Sequence, residues 1–228
     1  MKIVFLNVWH GRRTTELRDF LLSNADSTDV FCFQEAYKEF QVNIEKILPN
    51  FKPFMAAKEL NPYDNFSQAI YLKNNIEVLL EGQIFQDDPT CGLANFVEVQ
   101  RHDQHINICN FHGFSRPADK LDTEARQKQS AGLIRAFEHS TIPVVIGGDF
   151  NLLPQTRSIL IFEAHGYKNL VSDYKIITTR DHLAWDSHPD NKQLFSDYVF
   201  TNNRVKVTDF SVPSSTISDH LPLILTLE

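Results

Sequence analysis

Polar residues that could bind a metal ion or move a proton follow an apolar run within residues 142–151. The Val and Ile residues of this run predict a strand buried on both faces, which ends at Gly147 and Gly148. Asp149 and Asn151 come directly after it, where open α/β sheets usually place their chemistry. An ordinary turn is the alternative interpretation, because Gly, Asp and Asn are also the commonest turn residues.

Similar polar residues stand beside other apolar runs along the chain. The complete set of eight comprises Asn7, Glu35, His112, Asp149, Asn151, Asp197, Asp219 and His220. Each alone is also typical of a turn or a strand end, but Asp197 lies inside an apolar run, where a charge must be paired. We therefore expect the eight side chains to meet at one rim of a two-sheet core.

The residue types in this set fit one kind of chemistry. Carboxylates and amides without thiolates form an oxygen-rich site for a hard cation such as Mg²⁺, with Mn²⁺ as an alternative. A histidine beside a carboxylate can hold a charge or move a proton at neutral pH. Cleavage of a phosphate ester needs a metal ion, an activated water and hydrogen-bond donors for the developing charge. The set therefore predicts a Mg²⁺-dependent phosphoesterase.

The apolar periodicity predicts strands throughout the chain and helices in both halves. Strands are predicted at residues 2–6, 30–33, 51–57, 66–72, 76–85, 93–101, 105–111, 143–146, 195–201, 205–212 and 221–227. Helices are predicted at residues 14–24, 122–139 and 156–164, with another that ends before Pro49. No repeat or linker interrupts the pattern, so we expect one domain, residues 1–228, with two packed β-sheets and helices outside.

Two stretches are expected to lack long regular elements. A tight turn is predicted at Asp103-Gln104, and the flanking His102 and His105 are interpreted as solvated rather than as a metal site. Residues 173–194 show little periodicity and are interpreted as a loop with short strands.

The charge balance bears on the class of partner. The chain has 22 Lys and Arg against 29 Asp and Glu, a net charge of −7. This balance argues against a large sequence-independent affinity for nucleic acid, which depends on many cations. It still permits a nucleic-acid substrate that is held by a local patch and a metal ion.

The cysteines and the apolar runs predict the compartment. Cys32, Cys91 and Cys109 are far apart and odd in number, so we expect free thiols and a reducing environment. No run reaches the roughly 20 apolar residues of a membrane span, and the chain opens as a strand rather than as a signal peptide. We expect a soluble, cytoplasmic protein, without integral membrane association, and a monomer.

Basic and aromatic residues supply weaker signals. Four basic residues within 13 positions could line a phosphate groove: Arg116, Lys120, Arg126 and Lys128. We interpret them instead as a solvated loop and helix face, since exposed basic residues are the rule. Trp9 and Trp185 could stack on a base, although Trp9 is expected to pack.

The polar motifs, taken in order, resemble those of the endonuclease/exonuclease/phosphatase superfamily, which has a deoxyribonuclease-I-like fold. The matching motifs are Asn7, Gln34-Glu35, His112, Gly-Asp149-Phe-Asn151, Ser-Asp197-Tyr and Ser218-Asp219-His220. The resemblance covers the chain from end to end. It implies an α/β (α+β) fold, a four-layer sandwich of two mixed β-sheets flanked by helices, and a Mg²⁺ cofactor.

The resemblance also implies which residues bind the metal ion. Glu35 would be the principal Mg²⁺ ligand, Asn7 would lie close to the metal or the phosphate, and Asp219 would assist at the metal or the water. His112 matches the deoxyribonuclease-like and sphingomyelinase-like branches of the superfamily. Abasic-site endonucleases usually carry Tyr at that position, so the resemblance to that branch is weaker.

Four further residues would act on the substrate if the resemblance holds. Asp149 would orient or deprotonate the attacking water, or protonate the leaving oxygen. Asn151 would donate a hydrogen bond to the phosphate. His220 would stabilise the transition state at the phosphoryl oxygens, and Asp197 would orient the His220 ring.

Three functions remain open at this point. The leading one is a phosphodiesterase or phosphatase that acts on small molecules or lipid head groups. A DNA endonuclease or exonuclease of the same superfamily is the alternative. A catalytically inactive binding or scaffold domain is a third, but its expected sign is the loss of site positions, and all eight are present.

Overall fold

Twelve strands in two sheets form the centre of the part of the chain that the structure describes, residues 1–61, 64–101, 104–186 and 189–228. The structure is a computed structural model. The strands are β1 (Lys2–Asn7), β2 (Val30–Gln34), β3 (Phe51–Asn61), β4 (Asp64–Lys73), β5 (Glu77–Ile84), β6 (Leu93–Arg101), β7 (Gln104–His112), β8 (Val144–Asp149), β9 (Lys168–Asn169), β10 (Asp197–Thr201), β11 (Val207–Ser211) and β12 (Leu223–Leu227).

Five α-helices accompany these strands in the described residues. They are α1 (Thr14–Asn24), α2 (Lys38–Ile47), α3 (Glu124–Phe137), α4 (Arg157–Ala164) and the single turn α5 (Leu170–Asp173). Helix α3 begins at Glu124 because the Thr123 side chain caps it and accepts a hydrogen bond from the Arg126 backbone N–H.

Each sheet has six strands and mixes parallel with antiparallel pairs. The strand order is β11-β12-β1-β2-β4-β3 in the first sheet and β5-β6-β7-β8-β10-β9 in the second. In the centre of the first sheet, β1 runs parallel to β2 and antiparallel to β12. In the second sheet, β8 runs parallel to β7 and antiparallel to β10. The predicted pair of mixed sheets is therefore confirmed.

Alternation along β1 explains how the layers pack. Ile3 and Phe5 belong to the large apolar cluster that the two sheets share, whereas Val4 and Leu6 belong to a second cluster with residues of α1 and α2. Successive side chains of a strand point to opposite faces, so β1 lies between the inter-sheet core and a helical layer. Helices α3 and α4 contribute to the large cluster on the second sheet, which makes the predicted four-layer sandwich.

The predicted elements agree with the observed ones except where the elements are short. The two-residue strand β9 and the one-turn helix α5 were not predicted, because such short segments carry no periodicity. Residues 173–194 contain two short 3₁₀ turns, and the only ladder contact assigned to their described part is a bridge between Arg180 and His220. The predicted turn at Asp103-Gln104 and the pairing of His102 with His105 depend on residues 102 and 103, which lie outside the described residues.

All three cysteines are free, as predicted, and all three are buried. No helix in the described ranges combines the length and the apolar character that crossing a bilayer requires. The assignment of residues 1–228 to one domain stays a prediction.

We expect Gly148→Ala to lower the free energy of unfolding more than Gly166→Ala does. Gly148 has φ +131°, and an added Cβ would lie 2.1 Å from the Phe111 carbonyl oxygen. Overpacking and a strained backbone each cost about 1–3 kcal/mol, so the free energy of unfolding should fall by about 2–6 kcal/mol. Gly166 has φ +83° with nothing within 4 Å, so only the backbone term of about 1 kcal/mol applies there. Equal losses in urea denaturation of the two variants would contradict this account.

Candidate active site

The register of the second sheet brings three of the predicted residues to one edge. His112 at the end of β7 pairs with Asp149 at the end of β8, and Asp149 pairs in turn with Asp197 at the start of β10. In the first sheet, Asn7 is the last residue of β1, and Glu35 comes directly after the last residue of β2. Because the two sheets pack face to face, these strand ends meet at one rim.

Asn7 links the two sheets across that rim. Its Nδ2 donates to Glu35 Oε1 at 3.2 Å and to Asp149 Oδ2 at 3.1 Å. Its Oδ1 accepts a hydrogen bond from the Trp9 backbone N–H at 3.0 Å, which fixes the orientation of the amide. One amide therefore holds a carboxylate from each sheet.

Asp149 is buried and surrounded by donors and positive charge. Its Oδ1 accepts from Ser196 Oγ at 2.5 Å and from the Asn151 backbone N–H at 2.9 Å. Its Oδ2 lies 3.8 Å from His112 Nε2 and 3.7 Å from His220 Nε2. Burial raises the pKa of Asp149, but positive charge on His220, Lys120 and His112 outweighs it and lowers this pKa below its ordinary value. The carboxylate is ionised, with Oδ2 between two imidazoles.

His220 is held by a buried carboxylate. Its Nδ1 lies 2.9 Å from both oxygens of Asp197, so Nδ1 donates to that carboxylate and Nε2 faces Asp149. Burial and the Arg180 charge lower the pKa of His220, but the carboxylates of Asp197, Asp219 and Asp149 outweigh them and raise it. The imidazole is thus oriented and biased towards its charged form.

Glu35 occupies an unusual backbone position. It has φ +56°, in the left-handed region that side chains other than glycine seldom adopt. Its Oε2 lies 3.0 Å from His10 Nε2, but outside hydrogen-bond geometry, so it has no hydrogen-bond partner among the described residues. Burial raises the pKa of Glu35, whereas His10, His112 and His220 lower it, to about 2 overall. An ionised, partly buried carboxylate oxygen without a hydrogen-bond donor is suited to a cation.

Asp219 and Asn151 lie at the same rim with most of their polar atoms engaged. Asp219 Oδ2 accepts from Arg180 Nη2 at 2.9 Å, and its Oδ1 lies 3.9 Å from His220 Nε2. The Asn151 side chain accepts from Lys120 Nζ at 2.5 Å and donates through Nδ2 to the Gly113 carbonyl at 3.1 Å. All eight predicted side chains are therefore gathered at one rim.

Two of the four basic residues contradict the solvated interpretation. Lys120 and Arg126 are buried, whereas Arg116 and Lys128 are exposed. A buried ammonium or guanidinium needs polar partners. Lys120 donates to Asn151 and Ser196, and Arg126 donates to carbonyls of the loop after β7. The only sequence signal for Lys120 was its place in the loop that directly follows the site residue His112. A position in a loop does not indicate whether the side chain is buried.

Other residues near the site were also missed. Ser196, Arg180 and His10 contact site carboxylates, although the first belongs to the Ser-Asp197-Tyr motif. Arg180 lies in the segment that was interpreted as a loop, and its bridge to His220 brings it to the rim. Sequence periodicity carries no information about such a contact.

A cavity of about 310 Å³ opens onto these groups. Trp9 and Trp185 line it together with Lys120, Arg180 and His220. Trp9, which was predicted to pack, is half-buried, and the Arg12 guanidinium lies 4.8 Å from its ring centroid. The cavity therefore combines charged groups at the rim with two indole rings.

Comparisons with known proteins identify the family of the chain and its fold. The profile of the Endonuclease/Exonuclease/phosphatase family matches residues 4–220. The chain belongs to this family. Among curated proteins, no sequence matches the chain significantly. Membership supports a hydrolase that acts on phosphate esters.

Solved structures of this family share the fold at low sequence identity. Mannosyl-6-phosphatase Bt3783 of Bacteroides thetaiotaomicron is 14% identical with a TM-score of 0.74, over 100% of this chain and 99% of that one. The human Nocturnin catalytic domain, with bound sulfate, is 14% identical with a TM-score of 0.74, over 100% and 94%. D. rerio TDP2 in complex with a single-strand DNA product is 15% identical with a TM-score of 0.75, over 100% and 98%.

We expect Asp197→Asn to lower the pKa of His220. The substitution removes a negative charge that raises this pKa, whereas burial and the Arg180 charge, which lower it, remain. In the folded wild type the pKa of His220 lies above its ordinary value of 6.5. The protonated imidazole therefore contributes its full stabilisation below pH 6.5, and this contribution is lost as the pH rises through the pKa of the folded state. NMR titration of the imidazole in metal-free protein measures the pKa directly. Asp209→Asn, on the exposed part of β11, is the control, and an equal change in both variants would contradict the assignment.

Proposed function

We propose that this family member is a Mg²⁺-dependent phosphoesterase, with Mn²⁺ as the alternative ion, that hydrolyses a phosphodiester or phosphomonoester by direct attack of water. The observation that carries the proposal is the ionised Asp149, whose Oδ2 faces His112 Nε2 and His220 Nε2 at 3.8 and 3.7 Å. Glu35 lies on the other side of the Asn7 amide that binds Asp149. Family membership supports the same reaction class.

Two donor sets are available for the metal ion. Asp149, Asp197 and His220 offer ligand atoms within 4.8 Å of one another, but His220 Nδ1 and Asp197 already engage each other. Glu35 Oε2 lacks a hydrogen-bond donor among the described residues, so we propose Glu35 as the principal ligand, with Asn7 and Asp219 beside it. When bound, the ion supplies positive charge to the phosphoryl oxygens and acidifies water.

Asp149 orients the attacking water in this proposal and accepts its proton as the bond to phosphorus forms, because a carboxylate with a lowered pKa is too weak a base to remove that proton beforehand. Its lowered pKa argues against the alternative role as a proton donor to the leaving oxygen, because the carboxylate carries no proton at neutral pH. Both donors to Oδ1 come from the protein interior, whereas Oδ2 accepts from Asn7 and can accept a second hydrogen bond from the water. In-line attack then proceeds in one step without a covalent intermediate on the enzyme.

His220 and Asn151 act on the phosphoryl oxygens. His220 donates from Nε2 to the developing charge, and Asp197 holds the ring in the tautomer and orientation that this requires. Asn151 Nδ2 has one hydrogen bond to Gly113, so its second N–H is available to the phosphate. His112 contributes a further imidazole 3.8 Å from Asp149 Oδ2.

The proposed substrate is a small phosphate ester or a lipid head group. The cavity of about 310 Å³ suits a compact ligand, and the net charge of −7 opposes a long polyanion. Trp9 and Trp185 offer faces on which a ring of the substrate can stack. The mannosyl-6-phosphatase of the same fold supports a phosphatase, whereas TDP2 with its DNA product supports the alternative nuclease.

We propose an active enzyme rather than an inactive binding or scaffold domain, because the eight side chains converge at one rim. Hydrogen bonds there join Asn7 to Glu35 and Asp149, and Asp197 to His220. A cytoplasmic location and a monomeric state stay predictions.

We expect metal-dependent turnover that EDTA abolishes and that Glu35→Gln and His220→Ala each reduce by about 10²–10⁴-fold, because each removes a group that acts on the reacting phosphate. Release of phosphate or cleavage of the ester would be measured with bis-p-nitrophenyl phosphate, sugar and inositol phosphates, sphingomyelin and DNA. His139→Ala, whose side chain is 94% exposed, is the matched control. Unchanged hydrolysis of every active substrate in both site variants would overturn the assignment, and metal-independent turnover would overturn the cofactor.

We expect only weak DNA binding, because acidic residues outnumber basic ones and the net charge of −7 repels the phosphates. Fluorescence anisotropy with a labelled single strand, at about 20–200 mM salt, measures the affinity and its salt dependence. Tight binding with a steep fall at high salt, together with Mg²⁺-dependent DNA cleavage, would favour the nuclease instead.

A further inference from the structure

The ammonium group of Lys120 is buried next to the residues that donate to Asp149. Lys120 lies in the loop between β7 and α3 with 6% of its surface exposed, and its φ is +56°. Its Nζ donates to Asn151 Oδ1 at 2.5 Å and to Ser196 Oγ at 2.9 Å. Burial of an ammonium is costly unless its hydrogen bonds are satisfied, so this position serves a purpose that an apolar side chain would not.

The two residues that accept from Lys120 also supply the two donors to Asp149 Oδ1. The Ser196 hydroxyl accepts from Lys120 Nζ, so its only proton points at Asp149 Oδ1, 2.5 Å away. Asn151, which accepts from the same ammonium through its side chain, donates its backbone N–H to Asp149 Oδ1 at 2.9 Å. Lys120 thus determines the direction of one donor and fixes the residue that carries the other.

The loop that carries Lys120 is held in place by Arg126. The Arg126 side chain is completely buried, and it donates to the carbonyls of Phe114, Pro117 and Leu121 on both sides of Lys120. The Lys120 carbonyl also accepts from the Leu153 N–H at 2.9 Å, which fastens the loop to the segment after Asn151. These contacts explain how a lysine is kept under the site in a left-handed conformation.

We propose that Lys120 is a positioning residue for phosphoester hydrolysis, which acts through Ser196 and Asn151 to direct Asp149 Oδ2 towards the attacking water. The inference rests on the proposed function, because it assigns Asp149 the role of binding that water. Lys120 lines the cavity, but its ammonium donates to Asn151 and Ser196 rather than to the water or the phosphate in this scheme. We expect its loss to let the Asp149 carboxylate rotate.

The test compares Lys120→Met with Ser196→Ala and with the double variant. On any substrate that the wild type hydrolyses, we expect Lys120→Met to lower kcat about 10- to 100-fold and to leave KM within about threefold. Because Lys120 acts through Ser196, the double variant should lose much less than the product of the two single losses. A normal kcat, or a loss that appears only in KM, would overturn the proposal.

Lys58 offers a matched control for the loss of a buried lysine. Lys58 is also 6% exposed, and its Nζ donates to four backbone carbonyls, those of Phe85, Asp88, Cys91 and Gly92. We expect Lys58→Met to lower stability in urea denaturation with little change in kcat. If the two variants lose kcat in proportion to their loss of stability, Lys120 is structural only and the proposal fails.

A structural readout separates this inference from the proposed function. If the wild type hydrolyses no phosphoester, the proposed function fails, and crystal structures of the wild type and Lys120→Met still decide the inference. Rotation of the Asp149 carboxylate away from its two interior donors in the variant would support positioning. An Asp149 carboxylate that superposes in both proteins would overturn it.

Discussion

The structure depends on keeping one buried carboxylate, Asp149, ionised at the junction of two sheets. Only 2% of its surface is exposed, so water cannot stabilise the charge. The surrounding side chains compensate in two groups. On one side, the Ser196 hydroxyl and the Asn151 backbone N–H donate to Oδ1, and Lys120 donates to both of these residues. On the other side, Asn7 donates to Oδ2 and two imidazoles face it. Because each carboxylate oxygen has its own set of neighbours, the orientation of Asp149 is fixed before any substrate binds.

The aromatic core fixes the segment that carries this carboxylate. Phe150, between Asp149 and Asn151, is fully buried and makes edge-to-face contacts with the rings of Phe111, Phe162, Tyr198 and Phe200. Such contacts are individually worth about 0.5–1.5 kcal/mol beyond burial. Because one ring is locked by four others, the polar residues on either side of it cannot shift without disturbing the core. The same residue that stabilises the fold thus limits the motion of the site.

The sequence was sufficient for the layers and for the eight polar residues, because both follow from local regularities. An apolar run identifies a strand, and the position directly after it identifies an edge, as at Asn7, His112 and Asp149. Lys120 and Arg126 could not be predicted in the same way, since their burial depends on how a loop folds over the sheet edge. Arg180 lies in a segment without periodicity and reaches the site through a bridge to His220. Depth and long-range contacts of loops are tertiary properties that spacing does not encode.

Backbone strain is concentrated in the same small region. Glu35, Lys120 and Asn151 all have φ between +54° and +56°, in the left-handed region that glycine adopts without steric cost. Each such residue costs on the order of 1–3 kcal/mol and persists only when its surroundings determine it. Glycine would relieve the strain at all three positions, but it would also delete a carboxylate, an ammonium or an amide that contacts the site. The chain therefore keeps a functional side chain at three positions where the backbone conformation alone favours glycine. This is expected when stability is sacrificed to hold reactive groups in place.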